Sequence, residues 1–375
     1  MSMKIEYKKQ ILFFFLLFLI MIASIEISVR VFELFLSECG IINAETLPYN
    51  YFQKRLICYD FLNLVYEYNP VISLKPNQHL STININDYGF RGNELENNED
   101  IYRIVIVGGS TVFGTAVFDH ESIPAELAND FDDFENVEII NAGIASITSN
   151  EEIFHIKNKI NTIKPDLIII YDGANDVHYK ITNYSVPSSD STTISFKDFQ
   201  EYFRTPVVIY RNLISPLLSN FQTDDKKNNN APGKIMESYK ENFQLSDKVS
   251  EKWYQNMKDF CDFSNKNNIK SVVIIQPTIY HGKKILTNYE TGFYLDDIFT
   301  KTTFTKMREK LGQLPECTLK VDLSDVFENV EIGIYRDGVH LNNQGNKLIA
   351  NKIYENISPI VSNDIKKNRM ISILD

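Results

Sequence analysis

Apolar positions along the chain fall into three regimes. Residues 11–25 run without a charge, and residues 26–36 stay largely apolar around Glu26 and Arg30. Residues 37–100 are polar and aromatic with little periodicity. Within them Asn69-Pro70 is a turn signal, and the alternation that opens residues 83–92 predicts a short strand and then a turn. From residue 102 onward, short β-branched runs alternate with longer amphipathic stretches. Strands are predicted over 104–107, 137–140, 166–171, 271–276 and 319–323, and helices over 123–130, 150–161, 247–267 and 343–356. Continuous apolar strands separated by helices predict an α/β fold of three layers: a mainly parallel sheet of about five strands covered on both faces. Ligands bind such sheets beyond the carboxyl ends of the strands.

Residues 180–246 break this rhythm with a Ser/Thr-rich stretch and the run Asp224-Asp225-Lys226-Lys227-Asn228-Asn229-Asn230. They read as an insertion after the third strand, either a lid or substrate wall or a decorative loop. The expected organisation is a tip and anchor helix over 1–36, a lead-in segment over 37–100, a main domain over 101–360 carrying that insertion, and a tail over 361–375.

The first regime has the length of a membrane anchor. At ~1.5 Å rise per residue the uncharged run spans roughly 22 Å as a helix, and extension to Val31 brings it to about 30 Å, the thickness of a hydrocarbon core. Glu26 and Arg30 then fall in the last turns, spaced to pair and long enough to reach the interface. Lys4, Lys8 and Lys9 precede the run. They place the N-terminus in the cytoplasm and the rest of the chain outside. A cleaved signal peptide is the rival reading, but no A-x-A site is evident and apolar residues continue past the run. A buried soluble helix is the third.

A formal charge of −11 argues against nucleic acid as a partner. The four cysteines, Cys39, Cys58, Cys261 and Cys317, match no zinc spacing. Cys39 and Cys58 are a candidate bridge outside the cytoplasm, against four unpaired thiols. Nothing in the sequence reads out an oligomeric state.

Three segments carry chemistry. Gly108-Gly109-Ser110 follows the first apolar strand and reads as a tight turn that sets a serine at a helix start. The unpaired N–H groups there favour developing negative charge. A plain N-cap serine fits the same residues. There is no Lys for a P-loop, no G-x-G-x-x-G spacing, and Val112 stands where an α/β-hydrolase elbow needs its last glycine. Gly173-Ala174-Asn175-Asp176 follows the third strand, which places the Asn175 amide at a carboxyl end of the sheet. An Asn/Asp-stabilised turn is the alternative there. Asp337-Gly338-Val339-His340 sets an acid three residues before a histidine, so that the carboxylate accepts from Nδ1 and Nε2 is left as a base, with a surface turn before a helix capped near Asn342 as the alternative. His178, two residues after Asp176, is the competing histidine.

Taken together and in this order, the three segments resemble the blocks of the SGNH (GDSL-like) hydrolase family, over roughly residues 80–360. The family's usual Gly-Asp-Ser is here Gly108-Gly109-Ser110, its Gly-x-Asn-Asp matches Gly173, Asn175 and Asp176, and its Asp-x-x-His matches Asp337 and His340. The resemblance implies a flavodoxin-like sheet, no metal and no cofactor. It also implies a Ser110–His340–Asp337 triad and an oxyanion hole made by the N–H of Ser110, the Asn175 amide and a second-block N–H. That second block departs from the family. In Asn141-Ala142-Gly143-Ile144-Ala145-Ser146, Gly143 is the one glycine, while the usual spacing points to Ser146. The implied activity is that of an extracytoplasmic serine esterase or acylhydrolase, membrane-bound through its N-terminal helix. Its partner is an acylated glycan or lipid, with O-acetyl groups of envelope polysaccharide as the expected substrate. O-acyl transfer or lipid ester hydrolysis on the same site is an alternative. The altered second block also admits an idle, membrane-tethered glycan-binding or assembly protein.

Overall fold

The computed structural model describes residues 2–35, 46–68, 70–98, 100–181, 232–294, 297–314 and 316–374. The chain divides into two compact units, Met1–Gly40 with Ser189–Glu237, and Ile41–Ser188 with Ser238–Asp375. The first unit contains helix α1 (Ser2–Phe35), whose Lys9–Ser28 segment has a mean hydropathy of 2.6 and leaves its apolar side chains exposed. By length and composition this helix is able to cross a membrane. Most of the insertion expected over 180–246 lies outside the described residues.

The second unit is built on a five-stranded, wholly parallel sheet of β5 (Tyr102–Gly108), β6 (Val137–Gly143), β7 (Leu167–Asp172), β8 (Lys270–Ile275) and β9 (Leu319–Asp322), in the order β6-β5-β7-β8-β9. This is the flavodoxin-like order, in which the chain reverses direction between β5 and β7. The alternation of side chains along each strand divides the core in two. Val105, Val107, Ile168, Ile170, Val273 and Ile275 point to one face. They meet α5 (Ser149–Asn158), α7 (Pro232–Lys266) and α8 (Ile298–Gln313) around Trp253, Phe260 and Met307. Ile104, Ile106, Leu167, Ile169, Val272 and Ile274 point to the other face, where α4 (Ile123–Asp130) and α9 (Asn343–Leu374) cover them. Between these, α3 (Ser110–Phe113) follows β5 and α6 (Ala174–Tyr179) follows β7.

Several elements differ from expectation. The closing helix does not end at residue 356 but continues to Leu374 through the stretch read as a tail. Ile349, Ile353, Ile357 and Val361 recur every four residues in its core face, and that packing outweighs the N–H lost at Pro359. The helix expected from residue 247 begins at Pro232, so residues 232–246 belong to α7 rather than to an insertion loop. α8 had no counterpart in the sequence reading.

The lead-in segment is folded. It forms α2 (Tyr51–Asn63) and short antiparallel pairs of β1 (Tyr66–Tyr68) with β2 (Ile72–Leu74) and β3 (Gln78–His79) with β4 (Asn84–Ile85). Leu64, Leu74, Ile83 and Ile85 from this segment share a core with Phe113, Ile144 and Ile147. Arg91 bridges to Asn141 on the sheet edge.

The cysteines also correct the reading of unpaired thiols. Cys261 on α7 is bonded to Cys317 just before β9. Cys58 is disulfide-bonded too. Cys39, its proposed partner, lies outside the described residues.

Candidate active site

The carboxyl ends of β5, β6 and β7 bring the predicted residues to one place. β5 ends at Gly108, and Gly109 caps the four-residue α3 that opens with Ser110. A Cβ at Gly109 would overlap the Asn175 amide, so a larger residue there would have to displace that side chain. Two buried arginines hold this turn from behind. Arg91 donates from Nη1 to Phe113 O at 2.8 Å and Gly114 O at 2.7 Å, and from Nη2 to Val117 O at 2.9 Å, while Nε pairs with Asp119 at 2.6 Å. Arg336 donates from Nη2 to Thr115 O at 2.6 Å and from Nε to Leu341 O at 2.9 Å, which ties the serine turn to the C-terminal block.

That block is a narrow turn closed by the Tyr335–Leu341 bridge and by Arg336 N–H donating to His340 O. Asp337 Oδ1 accepts from the N–H groups of Val339 (2.9 Å) and His340 (2.8 Å), which leaves Oδ2 aimed at the imidazole. The His340 Nδ1–Asp337 Oδ2 distance is 2.7 Å, and His340 Nε2 lies 2.7 Å from Ser110 Oγ. Burial alone would raise the Asp337 carboxyl. The His340 imidazole, the Arg336 charge and the backbone donors reverse this and hold it well below the usual carboxylate range. The row can therefore take a proton from the serine hydroxyl at Nε2 and stabilise the resulting imidazolium.

Asn175 projects from the start of α6, after Gly173, whose φ of 123° is open to glycine. Its Nδ2 donates one hydrogen to Ile147 O at 2.6 Å, which fixes the amide beside Ser110. Asp176 is turned away from the cleft. It is fully buried and accepts from Ser149 N–H at 3.0 Å and Ser149 Oγ–H at 2.5 Å. This leaves His178, the competing histidine, without the acid that its spacing suggested.

The two second-block candidates occupy different environments. Gly143 N–H is committed to Asn141 Oδ1 at 3.0 Å, at the end of β6 against the backbone of α3. Ser146 stands in the following loop with φ 68° and lines the cleft. That cleft, about 540 Å³, contains Ser110, Ser146, Asn175 and His340, with Tyr280, Phe299 and Phe304 on its walls. Tyr280 was not singled out by its sequence. It follows β8 beyond the carboxyl edge of the sheet, and burial and then the nearby Asp337 charge raise its phenol. Position beyond a strand end is the one signal that pointed to it. Among the described residues, no cluster of three or more His, Cys, Asp or Glu side chains is arranged to hold a metal ion.

A flavodoxin-like parallel sheet with a serine, a histidine and an acid at its carboxyl edge defines a class, hydrolases of ester bonds. The sequence profile of the GDSL-like Lipase/Acylhydrolase family matches residues 104–353, and the chain belongs to that family. No curated protein matches the chain. Similar solved structures include an acetyl xylan esterase, AlAXEase, at 15% identity over 68% of this chain and 98% of that one, with a TM-score of 0.40. The esterase EstA from Pseudoalteromonas sp. shows 14% identity over 69% and 98%, with a TM-score of 0.39. The acetylxylan esterase Axe2 from Geobacillus stearothermophilus shows 11% identity over 68% and 93%, with a TM-score of 0.40.

Proposed function

We propose that the chain is a membrane-anchored esterase that removes O-acyl groups, acetyl above all, from envelope polysaccharide outside the cytoplasm. The observation that carries the catalytic part is the unbroken row Ser110 Oγ, His340 Nε2 and Nδ1, Asp337 Oδ2, with both links at 2.7 Å and the serine open to the cleft. In this reading Ser110 Oγ attacks the ester carbonyl as His340 Nε2 takes its proton. The tetrahedral oxyanion receives hydrogen bonds from the N–H of Ser110, the N–H of Ser146 and the second Nδ2 hydrogen of Asn175. Ser146 is favoured over Gly143 because the Gly143 N–H is already bonded to Asn141. Collapse expels the sugar hydroxyl, which takes the proton back from His340. Water then attacks the acyl-serine by the same route, releasing the carboxylic acid.

The outside placement is supported by the apolar α1 with Lys4, Lys8 and Lys9 before it, and by the Cys261–Cys317 disulfide, which belongs to oxidising compartments. Ser110→Ala tests the catalytic reading. The variant is expected to keep the melting temperature of the parent, lose turnover of a short-chain aryl ester, and no longer be labelled by a fluorophosphonate probe. Undiminished turnover by Ser110→Ala would remove the serine from the mechanism. Mass spectrometry of envelope polysaccharide from cells carrying either form tests the substrate. Equal O-acetylation in the two would point to another ester.

A further inference from the structure

Helix α2 is apolar on both sides. Ile57 and the adjoining Leu64 are buried, and Asp60 Oδ2 accepts from Thr82 N–H at 2.5 Å and Thr82 Oγ–H at 2.8 Å. These contacts fix which side of the helix faces out. On that side Phe52 is 77% exposed, Leu62 64%, Tyr59 61%, Tyr51 53% and Leu56 42%. From Phe52 to Leu62 the spacing of four, three and three residues makes one stripe along the helix, with Tyr51 at its start beside Phe52. Five large apolar side chains left in water on one stripe mark an interaction surface rather than the scattered exposure of an ordinary surface.

We propose that this stripe lies on the lipid surface of the membrane that α1 crosses. The proposal rests on the reading of α1 as an anchor. Two features point to lipid as the occupant. Residues 36–50 separate the end of α1 from the start of α2, so even fully extended chain keeps the stripe within roughly 50 Å of the anchor. The helix also carries the composition of an interfacial helix: aromatic and aliphatic side chains on the outer stripe, Lys54 and Arg55 beside them, and a buried Asp60 as its one acid. In a chain of net charge −11, a cationic and apolar helix next to the anchor suits anionic headgroups. Docking through α2 gives the hydrolase domain a second point of attachment, so that it does not tumble freely on its tether.

The chain has one tryptophan, Trp253, which is fully buried, so an introduced tryptophan is read as the difference from the parent's emission. Full-length F52W and L62W are placed singly in phosphatidylglycerol–phosphatidylcholine nanodiscs, with and without brominated acyl chains. Ile285→Trp serves as the control, since Ile285 is 76% exposed and lies outside α2, in the stretch that follows β8. The new tryptophans of F52W and L62W are expected to emit at shorter wavelength and to lose most of their emission to brominated lipid, whereas that of I285W keeps its emission. Retention after alkaline carbonate extraction reads the anchor separately. A chain that is retained but whose residue 52 and 62 tryptophans are unquenched overturns the docking and leaves the anchor standing. Equal quenching at residue 285 overturns it as well. A blue shift without bromine quenching, dependent on protein concentration, assigns the stripe to a second copy and overturns the lipid. A chain released by carbonate overturns the anchor and, with it, the docking.

Discussion

Asn175 spends one of its two amide hydrogens on Ile147 O, and the other is available to a developing oxyanion beside Ser110. Removal of one such donor costs about 10²–10³ in kcat. Asn175→Ala is therefore expected to lower kcat by that factor with little change in KM, as steady-state kinetics on an aryl ester will read. Ser146→Gly is expected to be nearly silent in the same assay, because the donor proposed there is a backbone N–H and φ 68° suits glycine better than serine. A large loss in Ser146→Gly would move the role to the serine side chain. This contrast explains what the sequence made legible at this scale. In the proposed mechanism Ser110, Asn175, Asp337 and His340 act through side chains, and their residue types point to chemistry directly. A backbone donor has no residue-type signature, so Gly143 and Ser146 were separable only once the bond from Gly143 N–H to Asn141 was seen. The arginines behind the site were hidden for a related reason. Arg91 and Arg336 act on carbonyl oxygens, which any residue supplies.

Three elements meet in a buried acidic cluster behind the cleft: α5 contributes Glu152, the end of β7 Asp172, and α6 Asp176. Burial raises all three carboxyls, with Asp176 at about 6 and the other two well above their ordinary values, and neighbouring carboxylates add to the rise for Glu152 and Asp172. Neither Glu152 oxygen has a hydrogen-bond partner among the described residues. A native Glu152 therefore keeps its proton where the unfolded chain has lost it. Its contribution is fully present below the ordinary Glu range and is lost as pH rises toward the native value, at a slope of about 1.4 kcal/mol per pH unit. Glu152→Gln, which cannot ionise, is expected to gain on the parent by that slope from about pH 4.5 upward in urea unfolding. Parallel curves for the two would show that Glu152 is solvated or ionised in the native state. The elements that brought these groups together were unevenly legible. β5, β7 and β8 stood out because burial on both faces leaves continuous apolar runs. α2 did not, because apolar residues on its core side and its outer stripe cancel the helical period. α8 hides a core position, Thr303, behind a polar side chain.

At the scale of the whole molecule, the Cys261–Cys317 bridge joins α7 to the edge of the sheet at β9 across 56 positions of sequence. No local spacing announces such a pair, since the fold alone brings the two Cα atoms to 4.9 Å. Its consequences reach both stability and location. A cross-link of this span restricts the unfolded chain, and its loss is expected to cost about 2–4 kcal/mol. Cys317→Ser should therefore shift the urea midpoint of the oxidised protein downward, and reduction, which also breaks the bridge at Cys58, should bring parent and variant to one common midpoint, with the larger shift in the parent. Maleimide labelling under denaturing, non-reducing conditions addresses the compartment. If the catalytic domain lies outside the cytoplasm, Cys58, Cys261 and Cys317 in protein taken directly from cells resist the reagent until a reductant is added. An alkaline phosphatase fused after residue 374 is then active in the same cells. Immediate labelling of Cys261 and Cys317, together with an inactive fusion, would place the domain in the cytoplasm. The envelope polysaccharide would then be out of reach, while the ester chemistry at Ser110 would stand on its own test.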